Sequence, residues 1–315
     1  MITSLRSLPG LRILQNEPLS RHTRFGIGGP ARLLLEAGGE ETFISALRIV
    51  RASGEPHVIL GGGTNLIVSD DGFNGVVLKF TSDTITANEN SVTVAAGAVL
   101  QDLVDFTTAR GMRGLETLAG IPGWVGAAIY GNAGAYGHSI SERVHSVRFC
   151  DGGETRVIAN AECEFRYRES IFKQRKDWII LSADLKMSPG SREELQKISS
   201  EIVRVRNEKF PPTMKCAGSI FKNFLLADLD VAVPEKVIRE GKVPAAYFLE
   251  QVGAKGMRDG GIEVANYHAN LIYNAGGGTA LELCGIIAEL KRRVQELFGI
   301  ALEEEVQFVG DFPNR

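Results

Sequence analysis

The chain has 315 residues, of which 44% are hydrophobic and 23% charged, with a net charge of -3 and a pI near 6.0. That length predicts two or three domains of the usual size, about 100–200 residues each, with a core that needs no disulfide or metal support. Slight acidity excludes a global basic field for nucleic acid or an anionic membrane, so local groups must hold any anionic ligand. The cysteines, Cys150, Cys163, Cys216 and Cys284, are scattered without a Cys-x-x-Cys pair, and the histidines show no metal-ligand spacing. Free thiols, no metal site and a reducing, cytoplasmic setting are expected. The opening Met1-Ile2-Thr3-Ser4-Leu5-Arg6 has no apolar signal region, and the stretch 121–137 is too short and glycine-rich to span a bilayer.

Residues 1–30 show no strong periodicity until the turn cluster Phe25-Gly26-Ile27-Gly28-Gly29-Pro30. A buried strand is expected over 31–36. An amphipathic helix follows over 40–53, with Phe43, Ala46, Leu47 and Val50 on one face. The strand 57–60 runs into Gly61-Gly62-Gly63-Thr64-Asn65-Leu66. Short strands over 75–80, 84–87 and 91–95, a helix over 99–109 and a small-residue stretch over 119–137 come next. Strands recur over 144–150, 155–158 and 178–185. Ser191-Arg192-Glu193-Glu194 is a capping-box pattern that opens a helix, and Phe210-Pro211-Pro212 ends it and marks a domain boundary. A second capping box, Thr279-Ala280-Leu281-Glu282, opens a helix with Leu283, Ile286, Ile287, Leu290, Val294 and Leu297 inward. Gly299 stands just past its end, and a last strand covers 305–309. Helices and short strands mix without strict βαβ alternation, which predicts an α+β fold.

Two glycine-rich segments carry possible chemistry. Gly61-Gly62-Gly63 follows a strand, where glycines let backbone N–H groups approach phosphate, or simply make a tight turn. The segment has neither the Walker nor the Rossmann spacing. In Gly120-Ile121-Pro122-Gly123-Trp124-Val125-Gly126, small residues bring a helix start close to a pyrophosphate or allow close packing. Gly276-Gly277-Gly278 reads as a helix entry.

Further motifs stand in order along nearly the whole chain. They are Thr23-x-Phe25-x-Ile27-Gly28-Gly29-Pro30, Gly61 to Leu66, and Gly114-Leu115-Glu116-x-Leu118-Ala119-Gly120-Ile121-Pro122-Gly123. Then come Gly131-Asn132-Ala133-Gly134-Ala135-Tyr136-Gly137, Phe165-x-Tyr167-Arg168-x-Ser170 and Ala217-Gly218-Ser219-x-Phe221-Lys222-Asn223. His268-Ala269-Asn270 and Leu302-Glu303-x-Glu305-Val306 complete the set. Together they resemble the UDP-N-acetylenolpyruvoylglucosamine reductase family.

The resemblance implies a flavin-binding fold of the vanillyl-alcohol oxidase (PCMH) type in two subdomains, over 1–80 and 81–209. It adds a C-terminal α+β substrate domain over 210–315, whose last strand returns to the active site. It implies non-covalent FAD, NADPH as hydride source and UDP-N-acetylglucosamine enolpyruvate as acceptor, in a monomeric cytoplasmic enzyme of peptidoglycan synthesis. Fifty residues separate Arg168 from Ser219, which resembles the loop-lacking subtype, type II. Arg168 matches the family's arginine for the developing enolate, Ser219 its proton donor and Glu305 its glutamate beside the enol. Gly61, Gly62, Gly63, Thr64, Asn65, Leu66, Gly120, Ile121, Pro122, Gly123, Gly126, Asn132 and Ala133 fall in motifs that hold FAD. Tyr136, Lys222 and Asn223 fall in motifs that line the substrate pocket, and His268 reads as a structural residue that orients backbone.

The residue types suit that chemistry. A planar guanidinium fits a carboxylate, and donors aimed at developing charge lower the barrier. A serine hydroxyl is a weak acid that protonates only a strongly basic carbon, and an enolate carbon is one. Two other readings stay open: a flavin oxidase that uses oxygen, and a non-catalytic sugar-nucleotide binding module.

Overall fold

The continuous apolar run Leu33-Leu34-Leu35, with Ala31 before it, makes Pro30–Ala37 a strand buried on both faces. The helix Glu40–Ala52 then buries Phe43, Ala46, Leu47 and Val50, the spacing of one helical face. The computed structural model describes residues 1–312, which separate into two compact units. The first is Met1–Glu17, Ala31–Gly62 and Gly75–Pro212; the second is Pro18–Pro30, Gly63–Asn74 and Thr213–Arg315. Segments 18–30 and 63–74, assigned by sequence to an N-terminal subdomain over 1–80, thus cluster with the C-terminal residues. Backbone pairing explains this. Leu66–Val68 runs parallel to Gln307–Val309, and the Gly29 N–H donates to Ser69 O at 2.8 Å.

The first unit has a four-stranded sheet in the order Leu11–Pro18, Pro30–Ala37, Phe73–Phe80, His57–Ile59. Its second sheet is antiparallel, in the order Glu154–Ala159, Val144–Asp151, Trp178–Lys186, Ser91–Ala95, Ile85–Asn88. Phe43, Leu78, Leu103, Phe149 and Phe172 join one core, and Phe149 stacks on Trp178 with centroids 4.4 Å apart. Helices Leu100–Thr108 and Arg192–Lys209 belong to the same unit. Only half of the first capping box forms: Ser191 accepts from the Glu194 N–H, while the Glu194 carboxylate pairs with Arg113 at 2.6 Å.

In the second unit the sheet order is Cys216–Ser219, Leu271–Asn274, Ile262–Val264, Arg258–Asp259. Its core gathers Phe25, Ile67, Phe221, Phe248, Leu283 and Leu290. The capping box at Thr279 is complete and opens the helix Ala280–Phe298, which Gly299 ends at φ +71°. Leu297 is not on its inner face: it is 60% exposed. Phe298, four residues after the buried Val294, closes the stripe with its ring 5.1 Å from Phe248. The α+β class expected from sequence is the class observed.

None of the four cysteines is in a disulfide, and Cys163 is fully buried. Burial, helped by the Glu162 charge, pushes its thiol up to about 12. A thiol raised by folding contributes stability below its unfolded value, about 8.5, and loses it as pH rises toward the folded value. Unfolding free energy measured in urea should therefore fall between those limits. The slope should exceed that of Cys163→Ala by up to about 1.4 kcal/mol per pH unit. Equal slopes in the two proteins would remove the assignment.

Candidate active site

Ser219 ends the strand Cys216–Ser219, opposite Leu271. Past it, the backbone pairs with residues 303–305. The Glu305 N–H donates to Ile220 O at 2.7 Å, and the Lys222 N–H donates to Glu303 O at 2.9 Å. Phe221 and Glu304 face each other between these bonds. Asn270, only 2% exposed, holds this ladder from inside. Its Nδ2 donates to Phe221 O at 2.8 Å, and its Oδ1 accepts from the Phe221 N–H at 2.9 Å. His268 Nδ1 accepts from the Asn270 N–H at 3.2 Å, so the imidazole orients the residue that orients the ladder. On the other side of Glu305, Asn65 Nδ2 donates to Glu305 O at 2.9 Å, and the Gln307 N–H donates to Asn65 O at 3.0 Å. The second unit therefore brings Ser219 and Glu305 together through main chain.

Lys222 is mostly buried, and its Nζ lies 2.5 Å from Glu303 Oε1. Asn223 Oδ1 accepts from the Ala245 N–H at 3.2 Å, so its carbonyl serves the start of the helix Ala245–Gln251 and only Nδ2 remains as a donor.

Arg168 and Tyr136 belong to the first unit. Arg168 sits at φ +58° in a turn closed by reciprocal 3.1 Å hydrogen bonds between Arg166 and Glu169. Its Nη1 and Nη2 both donate to Gly134 O at 3.3 Å, and the Lys173 ammonium donates to Arg168 O. Tyr136 is at the tip of the hairpin formed by Gly134–Ala135 and His138–Ser139, with φ +53° and half of its surface exposed.

The glycine segments divide by what their N–H groups do. Among the described residues, no protein group accepts from the N–H of Gly61 or Gly62. A Cβ on Gly62 would lie 3.1 Å from Trp124 and 3.3 Å from Gly123 Cα, so the two glycine segments meet in side-chain-free contact. Unengaged backbone donors in a cradle that a side chain would fill fit a phosphate-bearing cofactor such as FAD. The first two N–H groups of the helix start at 125 are engaged within the protein. Val125 and Gly126 donate to Ala98 O and Ala96 O at 2.8 Å. Gly126 is a packing glycine, since its Cβ would stand 2.8 Å from that of Ala96. Gly120 donates to Gln101 Oε1 at 2.7 Å and Ile121 donates to Leu118 O at 3.2 Å. Gly120, Ile121 and Pro122 line a cleft of about 500 Å³ with Val99, Gln101 and Val203.

Gly63, Thr64, Asn65 and Leu66 stand in the second unit. Gly63, at φ +65°, would place a Cβ 1.8 Å from His22 O, which excludes any side chain there. Asn132 is buried and bonded within the protein, and Ala133 packs on the first core. Sequence reasoning missed Lys79. It is buried, with Nζ 5.1 Å from the Trp124 ring centroid and 3.8 Å from Glu36. Desolvation lowers its pKa, against the pull of the Glu36 carboxylate. A lysine at an inward strand position is the one cue, and strand alternation does not single it out.

Residues 31–159 match the family model for an FAD binding domain, which makes the class of protein an FAD-binding α+β fold. Residues 210–309 match the C-terminal domain of UDP-N-acetylenolpyruvoylglucosamine reductase. A protein of that name from Solibacter usitatus is 64% identical over 97% of this chain and 99% of its own length. One from Anoxybacillus flavithermus is 35% identical over 95% and 94%. The crystal structure of UDP-N-acetylenolpyruvylglucosamine reductase from Thermus caldophilus superposes with a TM-score of 0.74, at 29% identity over 95% of this chain and 99% of that one. The chain belongs to the UDP-N-acetylenolpyruvoylglucosamine reductase family and is an oxidoreductase.

Asn270→Ala strands the N–H and C=O of Phe221 in the core. It should cost about 2–6 kcal/mol of stability in urea unfolding, at about 1–3 kcal/mol for each of the two orphaned groups. A loss under about 0.5 kcal/mol, the usual limit of a surface change, would show that the ladder stands without it.

Proposed function

We propose that the chain reduces UDP-N-acetylglucosamine enolpyruvate to UDP-N-acetylmuramate, with non-covalent FAD and NADPH, in peptidoglycan precursor synthesis. The observation that carries this reading is the ladder that fixes Ser219 beside Glu305. Bound FAD would take hydride from NADPH and supply it to C3 of the enolpyruvyl group. The chain's own residues handle charge and proton. Arg168 stabilises the negative charge that spreads from C2 into the carboxylate. Ser219 gives its hydroxyl proton to C2. Glu305 stabilises the enol form. Gly61, Gly62, Gly63, Thr64, Asn65 and Leu66 form the glycine turn that receives FAD, with Gly120, Ile121, Pro122, Gly123 and Gly126 as the second segment. Tyr136, Lys222 and Asn223 contact the UDP-sugar.

The subtype is the loop-lacking type II. Between Arg168 and Ser219 the chain folds as two helices, Ile171–Gln174 and Arg192–Lys209, and the strands Trp178–Lys186 and Ser188–Pro189. These elements account for most of the interval. The enzyme works as a cytoplasmic monomer. Among the described residues no helix is long and apolar enough to cross a membrane.

Ser219→Ala should leave flavin reduction by NADPH near the wild-type rate in stopped flow. It should slow reoxidation by the enolpyruvyl substrate by about 100-fold or more, the scale of a lost general acid. An equal fall in both half-reactions would withdraw the donor role, and a wild-type protein with bound flavin but no substrate-dependent NADPH oxidation would withdraw the function. Gly62→Val places a branched side chain against Trp124 and Gly123. That variant should fold and purify with most of its flavin lost; full flavin content would remove Gly62 from the cofactor site.

A further inference from the structure

Asn132 Nδ2 donates to Arg166 O at 2.8 Å, and its Oδ1 accepts from the Ser141 N–H at 3.4 Å. The residue is 7% exposed, so these bonds are made away from solvent. The first joins the segment that leads to Tyr136 to the turn that carries Arg168, and the second ties it to Ser141, just past the Tyr136 hairpin. Three residues of these segments, Asn132, Tyr136 and Arg168, sit at positive φ of 43°, 53° and 58°, without being glycine. Such conformations persist only where surrounding structure over-determines them. Here each segment restrains the other. Asn132 reaches across to Arg166 O, the Arg168 guanidinium reaches back to Gly134 O, and Ser170 Oγ donates to Tyr130 O at 2.7 Å.

We infer that Asn132 is a positioning residue for Arg168 and not a flavin contact. Its Nδ2 donor is engaged at Arg166, the first residue of the turn that holds Arg168 at positive φ, and its Oδ1 acceptor is engaged by the Ser141 N–H. Loss of the amide leaves Arg166 O with only the Glu169 N–H as donor and loosens the tie between the turn and the segment beside it, which moves the guanidinium. The inference rests on the proposed role of Arg168 toward the substrate carboxylate.

The test compares flavin-loaded wild type with Asn132→Asp, Asn132→Ala and Asn132→Gly. The Asp variant keeps the acceptor for Ser141 and loses the donor to Arg166. The Gly variant accepts φ +43° and has no side chain. All three should bind FAD and be reduced by NADPH within about twofold of wild type, and be reoxidised by the enolpyruvyl substrate about tenfold more slowly or worse. Trypsin cleavage after Arg166 and Arg168 should accelerate about tenfold at temperatures well below each variant's thermal midpoint, since local opening exposes those bonds. Weaker FAD binding with unchanged cleavage would overturn the inference in favour of a flavin contact. A Gly variant that behaves as wild type would overturn it too, since backbone conformation and not the amide would then be what matters. If wild type itself ignores the enolpyruvyl substrate, the reductase reading falls, and the cleavage rates still decide whether Asn132 holds the turn. Where Ala does not fold, the Asp variant reads the same donor.

Discussion

The two hydrogen bonds between the Asn270 amide and the backbone of Phe221 are the constraint on which the second unit's site depends. A carboxamide presents a donor and an acceptor side by side, as the edge of a strand does. Asn270 therefore gives Phe221 the partners a further strand would give, while the other edge of the segment stays available to residues 303–305. A side chain without both groups would satisfy at most half of that edge. Ser219 and Glu305 owe their proximity to this arrangement and to Asn65, which holds Glu305 O from the opposite side.

A second use of asparagine recurs in the first unit. Asn132, like Asn270, is buried and bonded to backbone on both sides of its amide. In both, the amide holds backbone of a neighbouring segment. Their burial is tolerable because both polar ends are answered; an unanswered amide in such a place would cost more than any local contact returns.

Much of the fold was legible because periodicity reports burial directly. The helix Glu40–Ala52, the strands Val144–Asp151 and Trp178–Lys186 and the capping box at Thr279 follow from residue types within a few positions of one another. What was not legible depends on partners distant in sequence. The strand Leu66–Val68 is three residues long and exists because Gln307–Val309 lies alongside it. Leu297 and Phe298 are equally apolar, and the position of Phe248 decides which packs on the core. In the site, glycine motifs were visible as motifs but not as functions. Gly62 keeps an unengaged N–H, while Gly126 spends its own on Ala96, and a sequence contains no mark of where a carbonyl 30 residues away will stand. The roles proposed for Ser219, Arg168 and Glu305 come from ordered resemblance, since no local pattern sets a serine before phenylalanine apart from a cap.

The proposed proton donor makes rigidity of the ladder a chemical matter. A serine hydroxyl does not approach the acidity that general acid catalysis favours near neutral pH. Its usefulness must come from distance and orientation toward a carbon that is strongly basic for a short time. An acid of that kind gains little from a shifted pKa and much from being held in place. The second unit supplies the latter by main-chain bonds from Ile220 to Glu305 and Lys222 to Glu303, and by the Asn270 side-chain amide on Phe221. The helper carboxylate hangs from the same ladder, so a displacement of one strand moves both groups together and preserves their spacing. A donor and carboxylate on separate loops would drift independently. That shared frame is the physical reason to place a weak acid on a strand end beside a buried asparagine.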